Sequence, residues 1–371
     1  MNQTTHHGTR YGIIGCGMMG REHLRNIALL DGAEATVIFE PDTAMGIAAL
    51  ALAPGARLVG SVADLLARPD IDCLVIASPN FRHFGQLQEI AATRPLPVLV
   101  EKPLYTDPAD LAALAAFERG YPAPVWVAME YRYMPPVAAF AAMAPRATGG
   151  IRMLTIREHR FPFLTKVGDW NRHNAKTGGT FVEKCCHFFD LMRLMIGAEP
   201  VRIMASAGQD ANHLDEVYDG LPSDILDNGY VIVDFANGAR AMLELCMFAE
   251  GSEFQEEICA IGPVGKLEAK VPGPGRFWPD HLGPPPVPLL IESPRRPQGA
   301  TVTEIPVPPD LLEAGDHNGA TFYQHRGFLA LVRGERAAPD VSLDDGRRAV
   351  LMGLAAQESA ATGRAVEMAA G

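Results

Sequence analysis

The stretch of the chain best equipped for proton transfer is residues 178–190, which read GGTFVEKCCHFFD. Within it, Glu183, His187 and Asp190 are spaced so that their side chains share one face of a helix. The rest of the stretch is mostly apolar, so a polar stripe is costly unless it faces a cavity or finds partners. Because imidazole titrates near neutral pH, the pattern predicts an acid–base site. The alternative is a capped helix with a satisfied buried histidine.

A metal site is the third interpretation of this cluster, because it also contains Cys185 and Cys186. Adjacent cysteines point to different sides of a helix, and no second cluster of ligands stands out in the sequence. We therefore predict no metal.

Two more polar motifs follow apolar runs. The continuous run at residues 72–77 predicts a strand buried on both faces, and it leads into the sequence SPNFRH at 78–83. The run at 98–100 leads into EKP, whose lysine is Lys102. Since the carboxyl ends of parallel strands meet at one edge of a sheet, where ligands bind, Lys102 is a candidate catalytic group. The alternative is a solvated lysine at a strand end.

The sequence GCGMMG follows the first apolar run and opens a helical pattern. Gly15 permits a tight turn, Gly17 lets the backbone approach a pyrophosphate, and Gly20 lets helix and strand pack closely. Met18 and Met19 then begin a helix whose first N–H groups face the phosphates. The loop predicts dinucleotide binding, and a turn without a ligand is the alternative.

Glu40 distinguishes between the two nicotinamide dinucleotides. It lies 20 residues past Gly20, at the end of the second predicted strand, and Pro41 and Asp42 follow it. Its carboxylate can accept hydrogen bonds from the ribose hydroxyls, whereas it would repel a 2′-phosphate. Since no arginine adjoins it, we predict NAD as the cofactor.

The elements that carry these motifs alternate from the N-terminus to residue 131. Apolar runs typical of strands are separated by helical patterns, which predicts a doubly wound α/β Rossmann domain at residues 1–131. The predicted strands are at residues 11–15, 35–40, 72–77, 98–100 and 125–129.

The second part of the chain, residues 132–371, has mostly strand patterns and a helix at 181–195. Asn237 and Gly238 form a hairpin signal between two of these strands. This predicts an α+β domain with a mostly antiparallel open sheet, which we assign to substrate binding and oligomerisation. Residues 273–309 are rich in proline and glycine and predict an irregular excursion. The predicted strands are at 152–157, 201–207, 230–235, 239–248 and 256–261.

Composition excludes several classes of partner. The formal net charge is −12, with no basic cluster, which argues against nucleic acid. The longest apolar stretches are too short to span a membrane. The first ten residues are polar and predict a short tail and no signal peptide. The six cysteines form no C-x-x-C pair, so we expect reduced thiols and a cytoplasmic protein.

Taken together, the motifs resemble the Gfo/Idh/MocA oxidoreductases. The glycine loop, the SPN and EKP motifs and the glycine-led helix with Glu183, His187 and Asp190 occur in the order typical of that family. Arg132, between two tyrosines, resembles the family's step into the second domain. The resemblance implies that Lys102 and His187 form the catalytic pair, with Glu183 beside them. The other residues implied in cofactor binding are Gly15, Gly17, Met18, Met19, Gly20, Glu40, Ser78, Pro79, Asn80, His83, Glu101 and Arg132, together with Lys102.

The resemblance also implies a sugar or polyol substrate, for which four residues are candidates. Trp170 offers an aromatic face for sugar C–H groups, and Arg172 offers donors to hydroxyls, although a structural loop is an equal alternative. Asp190 and His317 are the other two candidates. The sequence departs from the family at Glu183, where aspartate is usual, and at the following Lys-Cys pair.

We expect an NAD-dependent dehydrogenase that oxidises a secondary hydroxyl of a sugar or cyclitol, or the reverse reaction. A second hypothesis is redox-neutral: transient oxidation acidifies a neighbouring C–H and allows elimination, with NAD recycled. A third is a non-catalytic NAD-binding regulator, against which Lys102, Glu183 and His187 argue. We expect a homo-oligomer, either a dimer or a tetramer.

Overall fold

The computed structural model describes residues 8–369, which divide into two compact units. The first unit contains the described residues up to Met129 and also Thr321–Arg347, and the second contains Glu130–Ala320 and the residues from Arg348 onward. Segment 321–347, which a single boundary at residue 131 assigns to the second domain, packs with the first unit instead. The N-terminal tail was predicted for the first ten residues, of which 1–7 lie outside the described residues, whereas Thr9 and Arg10 begin the first strand.

The first unit is built on a parallel sheet, which confirms the predicted Rossmann architecture. Its strands are β1 (Thr9–Ile14), β2 (Ala33–Phe39), β3 (Arg57–Val59), β4 (Cys73–Ile76), β5 (Val98–Val100) and β6 (Val125–Val127). Across residues 8–369 the order in this sheet is β3-β2-β1-β4-β5-β6, with every neighbouring pair parallel. The order reverses between β1 and β4, and ligands bind at such switch points in doubly wound sheets.

Helices connect these strands. They are α1 (Met18–Ala28), α2 (Thr43–Leu52), α3 (Val62–Leu66), α4 (His83–Thr93) and α5 (Leu111–Gly120). All residues of β4 and β5 are buried, as the continuous apolar runs predict.

The second unit is built on a mostly antiparallel sheet, as predicted. In the described part of the chain it has nine strands in the order β16-β15-β14-β13-β7-β12-β11-β8-β17, of which only β7 and β12 pair in parallel. A separate two-stranded ribbon pairs β9 with β10. The strands of this unit are β7 (Met153–His159), β8 (Pro200–Gly208), β9 (Val217–Tyr218), β10 (Leu221–Pro222), β11 (Asn228–Phe235), β12 (Arg240–Cys246), β13 (Glu256–Ile261), β14 (Gly265–Val271), β15 (Leu289–Pro294), β16 (Thr301–Glu304) and β17 (Val366–Glu367).

Helices α6 (Pro135–Thr148) and α9 (Cys186–Ile196) of the second unit pack against strands of this sheet. The unit also contains α7 (Asn174–Thr177), α8 (Thr180–Glu183) and α10 (Pro309–Ala314). The helix α11 (Ala320–Val332) belongs almost entirely to the first unit, and α12 (Leu343–Thr362) is divided between the two units. The core combines side chains from α6 and α9 with the inward residues of the strands, such as Ile156, Val231 and Leu243.

The single helix predicted at residues 181–195 is wrong. The structure has α8, a break at Lys184 and Cys185, and then α9, so Glu183 and His187 lie in different helices. The backbone N–H groups of both Lys184 and Cys185 point to the carbonyl oxygen of Thr180, so the turn is wider than a regular one. The common face inferred from the helical spacing is therefore interrupted.

The irregular excursion predicted at 273–309 is wrong in its second half, because β15 and β16 occupy the edge of the sheet there. Prolines are tolerated on edge strands, where one side of the backbone does not join the ladder.

The opposite face of the large sheet exposes apolar side chains. Met153, Tyr230, Ile232 and Ile261 are each at least 40% exposed. In the part of the chain that the structure describes, we find no helix with both the length and the apolar character to cross a bilayer.

Candidate active site

The glycine loop joins β1 to α1. Gly15 has a φ of +89°, and a Cβ there would lie 2.7 Å from backbone atoms of Ser78. A Cβ on Gly20 would lie 2.1 Å from the carbonyl oxygen of Gly15, so the turn and the helix approach closely only without a side chain. Among the described residues, no heavy atom lies within 4 Å of the Cβ position of Gly17. The loop is therefore tightly packed on one side and open at Gly17.

The N-terminus of α1 can receive an anion. Gly17 is its N-cap, and no side chain of the described residues caps it. The first N–H groups of a helix, here those from Met18 and Met19 onward, lack partners within the helix and carry a partial positive charge. This geometry fits the pyrophosphate of a dinucleotide.

Glu40 follows β2, and two backbone groups hold its carboxylate. Oε2 accepts a hydrogen bond from the N–H of Cys16 at 2.6 Å, and Oε1 accepts one from the N–H of Asp42 at 2.9 Å. Glu40 thus ties the end of β2 to the glycine loop, a contact that the sequence did not indicate. Each carboxylate oxygen can accept a further hydrogen bond, so a ribose contact is compatible with both.

His83 begins α4 and joins the two motif loops. It is buried, with Nδ1 at 2.8 Å from the carbonyl oxygen of Pro103 and Nε2 at 2.8 Å from that of Ser78. Burial lowers the pKa of His83, and the bonds to the two carbonyls act in the opposite direction. Because a backbone carbonyl faces each ring nitrogen, His83 holds these loops together, and its role in cofactor binding stays a prediction.

The side chain of Asn80, in contrast to that of His83, is not fully engaged by other protein groups in the described part of the chain. Its side chain is buried, and its amide nitrogen Nδ2 has no hydrogen-bond partner among the described residues. A buried donor without a partner is costly, and a polar ligand at this edge of the sheet would satisfy it. Its neighbour Pro79 precedes a short 3-10 turn, Asn80–Arg82, and Ser78 donates its hydroxyl to Oε1 of Gln86 at 2.6 Å.

Glu101 belongs to a buried chain of three titratable groups. Its Oε1 lies 2.9 Å from Nε2 of His23, and Nδ1 of His23 lies 2.8 Å from Nε2 of His325. Burial would raise the pKa of Glu101, but the hydrogen bond and charge of His23 bring it below its usual range. The N–H of Lys102 points to Oε2 of Glu101 at 3.3 Å. Glu101 therefore anchors the backbone beside Lys102, which is itself half-buried.

In the second unit, His187 lies in the first turn of α9 with its ring against that of Tyr131. The ring centroids are 4.1 Å apart and the planes differ by 6°. Tyr131 belongs to a 3-10 turn, Glu130–Tyr133, and His187 is 1% exposed. The stacking fixes the orientation of the imidazole, which proton transfer to a bound substrate requires.

Lys184 lies at the break between α8 and α9, and its ammonium group is buried. Nζ donates to the hydroxyl of Tyr131 at 2.5 Å and lies 2.8 Å from Oε1 of Glu158. It also lies over the ring of Tyr131 and, at 5.7 Å from the centroid, near that of Phe188. The sequence indicated Lys184 only as a departure from the family, so this contact set was missed.

Two buried carboxyl groups face each other across neighbouring strands beneath Lys184. Glu158 of β7 and Glu256 of β13 are register partners. Burial and the charge of Glu158 raise the pKa of Glu256 to about 7, and Lys184 and Arg160 act in the opposite direction. A carboxyl with this pKa changes its charge in the neutral range.

Glu183 ends α8, and Lys166 lies beside it. Oε1 of Glu183 is 3.8 Å from Nζ of Lys166, which lies 4.7 Å from the ring centroid of Trp170. Trp170 is itself buried. One face of this indole therefore packs against a lysine through a cation–π contact, and Lys166 is a site residue that the sequence did not indicate.

Asp190 and Arg132 bind each other. Nε of Arg132 donates to Oδ2 of Asp190 at 2.6 Å, and Nη2 donates to Oδ1. The carboxylate of Asp190 is fully buried. This pair joins the 3-10 turn at residues 130–133 to α9, and the substrate contact of Asp190 and the cofactor contact of Arg132 stay predictions.

Arg172 is also occupied by protein groups. Its Nε donates to Oε2 of Glu216 at 2.8 Å, and its Nη2 donates to the carbonyl oxygen of Phe163 at 3.0 Å. With a side chain only 3% exposed, it clamps two loops of the second unit. Its substrate role stays a prediction.

His317 lies near the Tyr131–His187 stack. Its ring centroid is 6.1 Å from that of Tyr131, and its Nε2 is 3.5 Å from Oε1 of Glu130. Its side chain is 19% exposed, in contrast to the buried Asp190 and Arg172. Of the four predicted substrate residues, His317 is the one beside the stack and partly open to solvent.

Two family models of the Gfo/Idh/MocA group match the chain. The model described as "Oxidoreductase family, NAD-binding Rossmann fold" matches residues 9–129. The model described as "Oxidoreductase family, C-terminal alpha/beta domain" matches residues 147–368. Together they cover both units.

Individual proteins are similar at lower identity. An inositol 2-dehydrogenase from Corynebacterium glutamicum (strain R) is 27% identical over 238 residues, which span 64% of this chain and 66%, just under two thirds, of that protein. The structure of GenD2 from gentamicin A biosynthesis in complex with NAD has a TM-score of 0.79 at 22% identity, covering 100% of this chain and 99% of that one. Levoglucosan dehydrogenase, in complex with NADH and levoglucosan, has a TM-score of 0.78 at 19% identity and coverages of 97% and 99%. The two structural similarities concern the fold.

Proposed function

Because the chain belongs to the Gfo/Idh/MocA oxidoreductase family, we propose that it is an NAD-dependent dehydrogenase acting on a secondary hydroxyl of a sugar, a sugar derivative or a cyclitol. The observation that carries the proposal is the buried imidazole of His187, held flat against Tyr131. The similarity to inositol 2-dehydrogenase supports the substrate class.

The first unit has the features that a bound dinucleotide needs. The open backbone at Gly17 and the uncapped start of α1 suit the pyrophosphate. The Nδ2 donor of Asn80 suits a polar group of the ligand. The negative charge of Glu40 favours NAD over NADP, because it would repel a 2′-phosphate.

Oxidation of a carbinol removes a hydride from carbon and a proton from the hydroxyl, and NAD, when bound, accepts the hydride. We assign the proton to a relay of Lys102, His187 and Glu183. In this assignment the lysine holds the hydroxyl oxygen, the imidazole takes the proton, and the carboxylate favours the resulting imidazolium. The pairing of Lys102 with His187 rests on the resemblance of their motifs to the family.

We further propose that the exposed apolar face of the large sheet joins two copies of the chain. Tyr230 and Ile232 alternate along β11 with buried residues, so the same strand serves the core on one side and an apolar surface on the other. A second copy would cover that surface with a matching one.

The test is a panel of sugars, glycosides, sugar acids and inositols with NAD and with NADP, followed at the NADH absorbance. We expect at least one member to give NADH in proportion to the oxidised product. A product formed without net NADH would indicate the redox-neutral reaction instead. Failure of every member to reduce bound NAD would overturn the proposal in favour of a regulator.

The active substrate then permits a test of the relay. We expect Lys102→Met and His187→Gln each to slow single-turnover hydride transfer by about 100-fold or more. Lys176→Met, which changes a lysine of α7 outside the proposed relay, serves as the control. Hydride transfer at the wild-type rate in both relay variants would exclude the assignment.

A further inference from the structure

We propose that Lys184 and Glu158 form a charge-balancing pair that sets the protonation state of His187 and keeps its imidazole neutral at neutral pH. Lys184 and Glu158 are positioning residues, since they act through Tyr131. That the neutral imidazole serves as a base in catalysis rests on the proposed function. The protonation state itself is a property of the folded protein, with or without a substrate.

A continuous set of contacts connects the pair to the imidazole. Nζ of Lys184 lies 2.8 Å from Glu158 and donates to the hydroxyl of Tyr131 at 2.5 Å. The ring of Tyr131 then stacks on His187 at 4.1 Å. All four side chains are less than a tenth exposed, so little water screens the charges from the imidazole.

The other charged and titratable groups around the stack come from several elements. The carboxyl groups are Glu130 on the 3-10 turn, Glu183 on α8 and Glu256 on β13. Arg160 follows β7, and His317 precedes α11. Glu130, Glu256 and Arg160 act electrostatically on Tyr131, whose ring stacks on His187. Because both signs of charge are present there, removing one charge of the Lys184–Glu158 pair would leave a local imbalance.

The sign of each effect follows from electrostatics. Removing the ammonium of Lys184 leaves excess negative charge, which favours the imidazolium and raises the pKa of His187. Removing the charge of Glu158 leaves excess positive charge, which lowers it. Removing both charges restores the balance. A residue needed only for packing would not produce opposite shifts that cancel.

The experiment uses the full chain with Lys184→Met, Glu158→Gln and the double variant, and it follows His187 by NMR of ¹³C-labelled histidine. His187→Gln identifies the resonance. We expect the His187 titration midpoint to rise by about one pH unit in Lys184→Met, to fall by a similar amount in Glu158→Gln, and to return to the wild-type value in the double variant. Lys176→Met is the matched control and should leave the midpoint unchanged.

Glu256 would reduce the first shift by binding a proton once Lys184 is absent. The same three variants are therefore also made with Glu256→Gln, where we expect the opposite shifts to persist. Where one single variant does not fold, the other still tests the sign of its own shift. The double variant, which exchanges the buried ion pair for neutral side chains of similar size, still tests the return to the wild-type midpoint.

An unchanged midpoint in each single variant that folds, shifts of the same sign in both single variants, or a double variant whose midpoint departs from the wild-type value would overturn the inference. With an active substrate, kcat can be measured against pH for each variant. The acidic limb of this pH profile should move in parallel with the NMR midpoint of His187, while the KM for NAD stays constant. If the wild-type protein oxidises nothing in the substrate panel, the proposed function fails, and the NMR titration still decides this inference.

Discussion

The carboxylate of Glu40 lies 2.6 Å from the backbone nitrogen of Cys16, inside the glycine loop. A single side chain at the end of β2 therefore stabilises the loop that would receive the pyrophosphate and also carries the charge that opposes a 2′-phosphate. Charge-assisted hydrogen bonds of this kind are stronger than neutral ones. Under the proposed function, loop geometry and the preference for NAD would therefore be coupled through one residue.

We expect Glu40→Gln to weaken NAD binding by about 10-fold, because a charged hydrogen bond contributes roughly 1.5–3 kcal/mol and part of it is retained by the amide. Binding of NADP should weaken less or improve, because the repulsive charge is gone. Titrations of both cofactors by protein fluorescence measure the two affinities. Glu34→Gln, at an exposed position of β2, is the control. An equal loss of affinity for NAD and for NADP in Glu40→Gln would contradict the role of Glu40 in discriminating between the two cofactors.

The buried pair of Asp190 and Arg132 predicts a loss of stability without a specific effect on the substrate. Asp190→Asn leaves the guanidinium buried without its counter-charge, which costs about 3–5 kcal/mol. Urea unfolding should show this loss, and the double variant Asp190→Leu, Arg132→Met should recover much of it. A variant of normal stability with a raised KM for the substrate would restore Asp190 to the substrate site.

Glu256 predicts a pH dependence of stability. Its pKa in the folded protein is raised to about 7 from an ordinary value of 4.5, so the folded state holds a proton that the unfolded state loses. Its contribution is fully present below pH 4.5 and is lost as the pH rises to about 7. Relative to the wild type, Glu256→Gln should therefore gain stability across this window, by up to a few kcal/mol.

Urea unfolding of both proteins between pH 4.5 and 8 measures this difference. Glu257→Gln changes the neighbouring acid of β13, whose side chain lies on the opposite face of the sheet, and is the control. A constant difference between Glu256→Gln and the wild type over the whole range would show that this carboxyl does not titrate there.

The exposed face of the large sheet predicts the effect of a charge on assembly. Ile232 is 41% exposed at the centre of β11, and a lysine there would place a cation inside a contact between two copies. We expect Ile232→Lys to reduce the molecular mass measured by light scattering to that of one chain. Ile47→Lys, at a 63% exposed position of α2, is the matched control. An unchanged mass would place the contact elsewhere.

Local patterns in the sequence were sufficient for the Rossmann fold and for the glycine loop. The strands before Gly15 and Ser78 were predicted because their apolar runs are buried on both faces of a parallel sheet. The Asn-Gly signal predicted the turn at Asn237 and Gly238, and Gly238 adopts the positive φ, +80°, that such a turn between β11 and β12 requires. In each case the physical cause lies within a few residues along the chain.

A weaker signal existed for Glu158 and Glu256. Each occupies, in its strand, a position whose side chain shares a face with buried apolar residues, so period-two alternation would have flagged both as buried acids. Neither strand alone shows that the two acids are register partners or that Lys184 lies against Glu158.

Other features arose only in the tertiary structure. The chain from Glu101 through His23 to His325 joins residues 78 and 302 positions apart. Asp190 lies 58 positions from Arg132, and the sequence did not indicate that the two side chains form a pair. The sequence thus determined elements whose stability is local, namely strands, turns and the glycine loop. Tertiary packing decided the polar pairings, because a buried charge takes whichever partner the fold brings within hydrogen-bond distance.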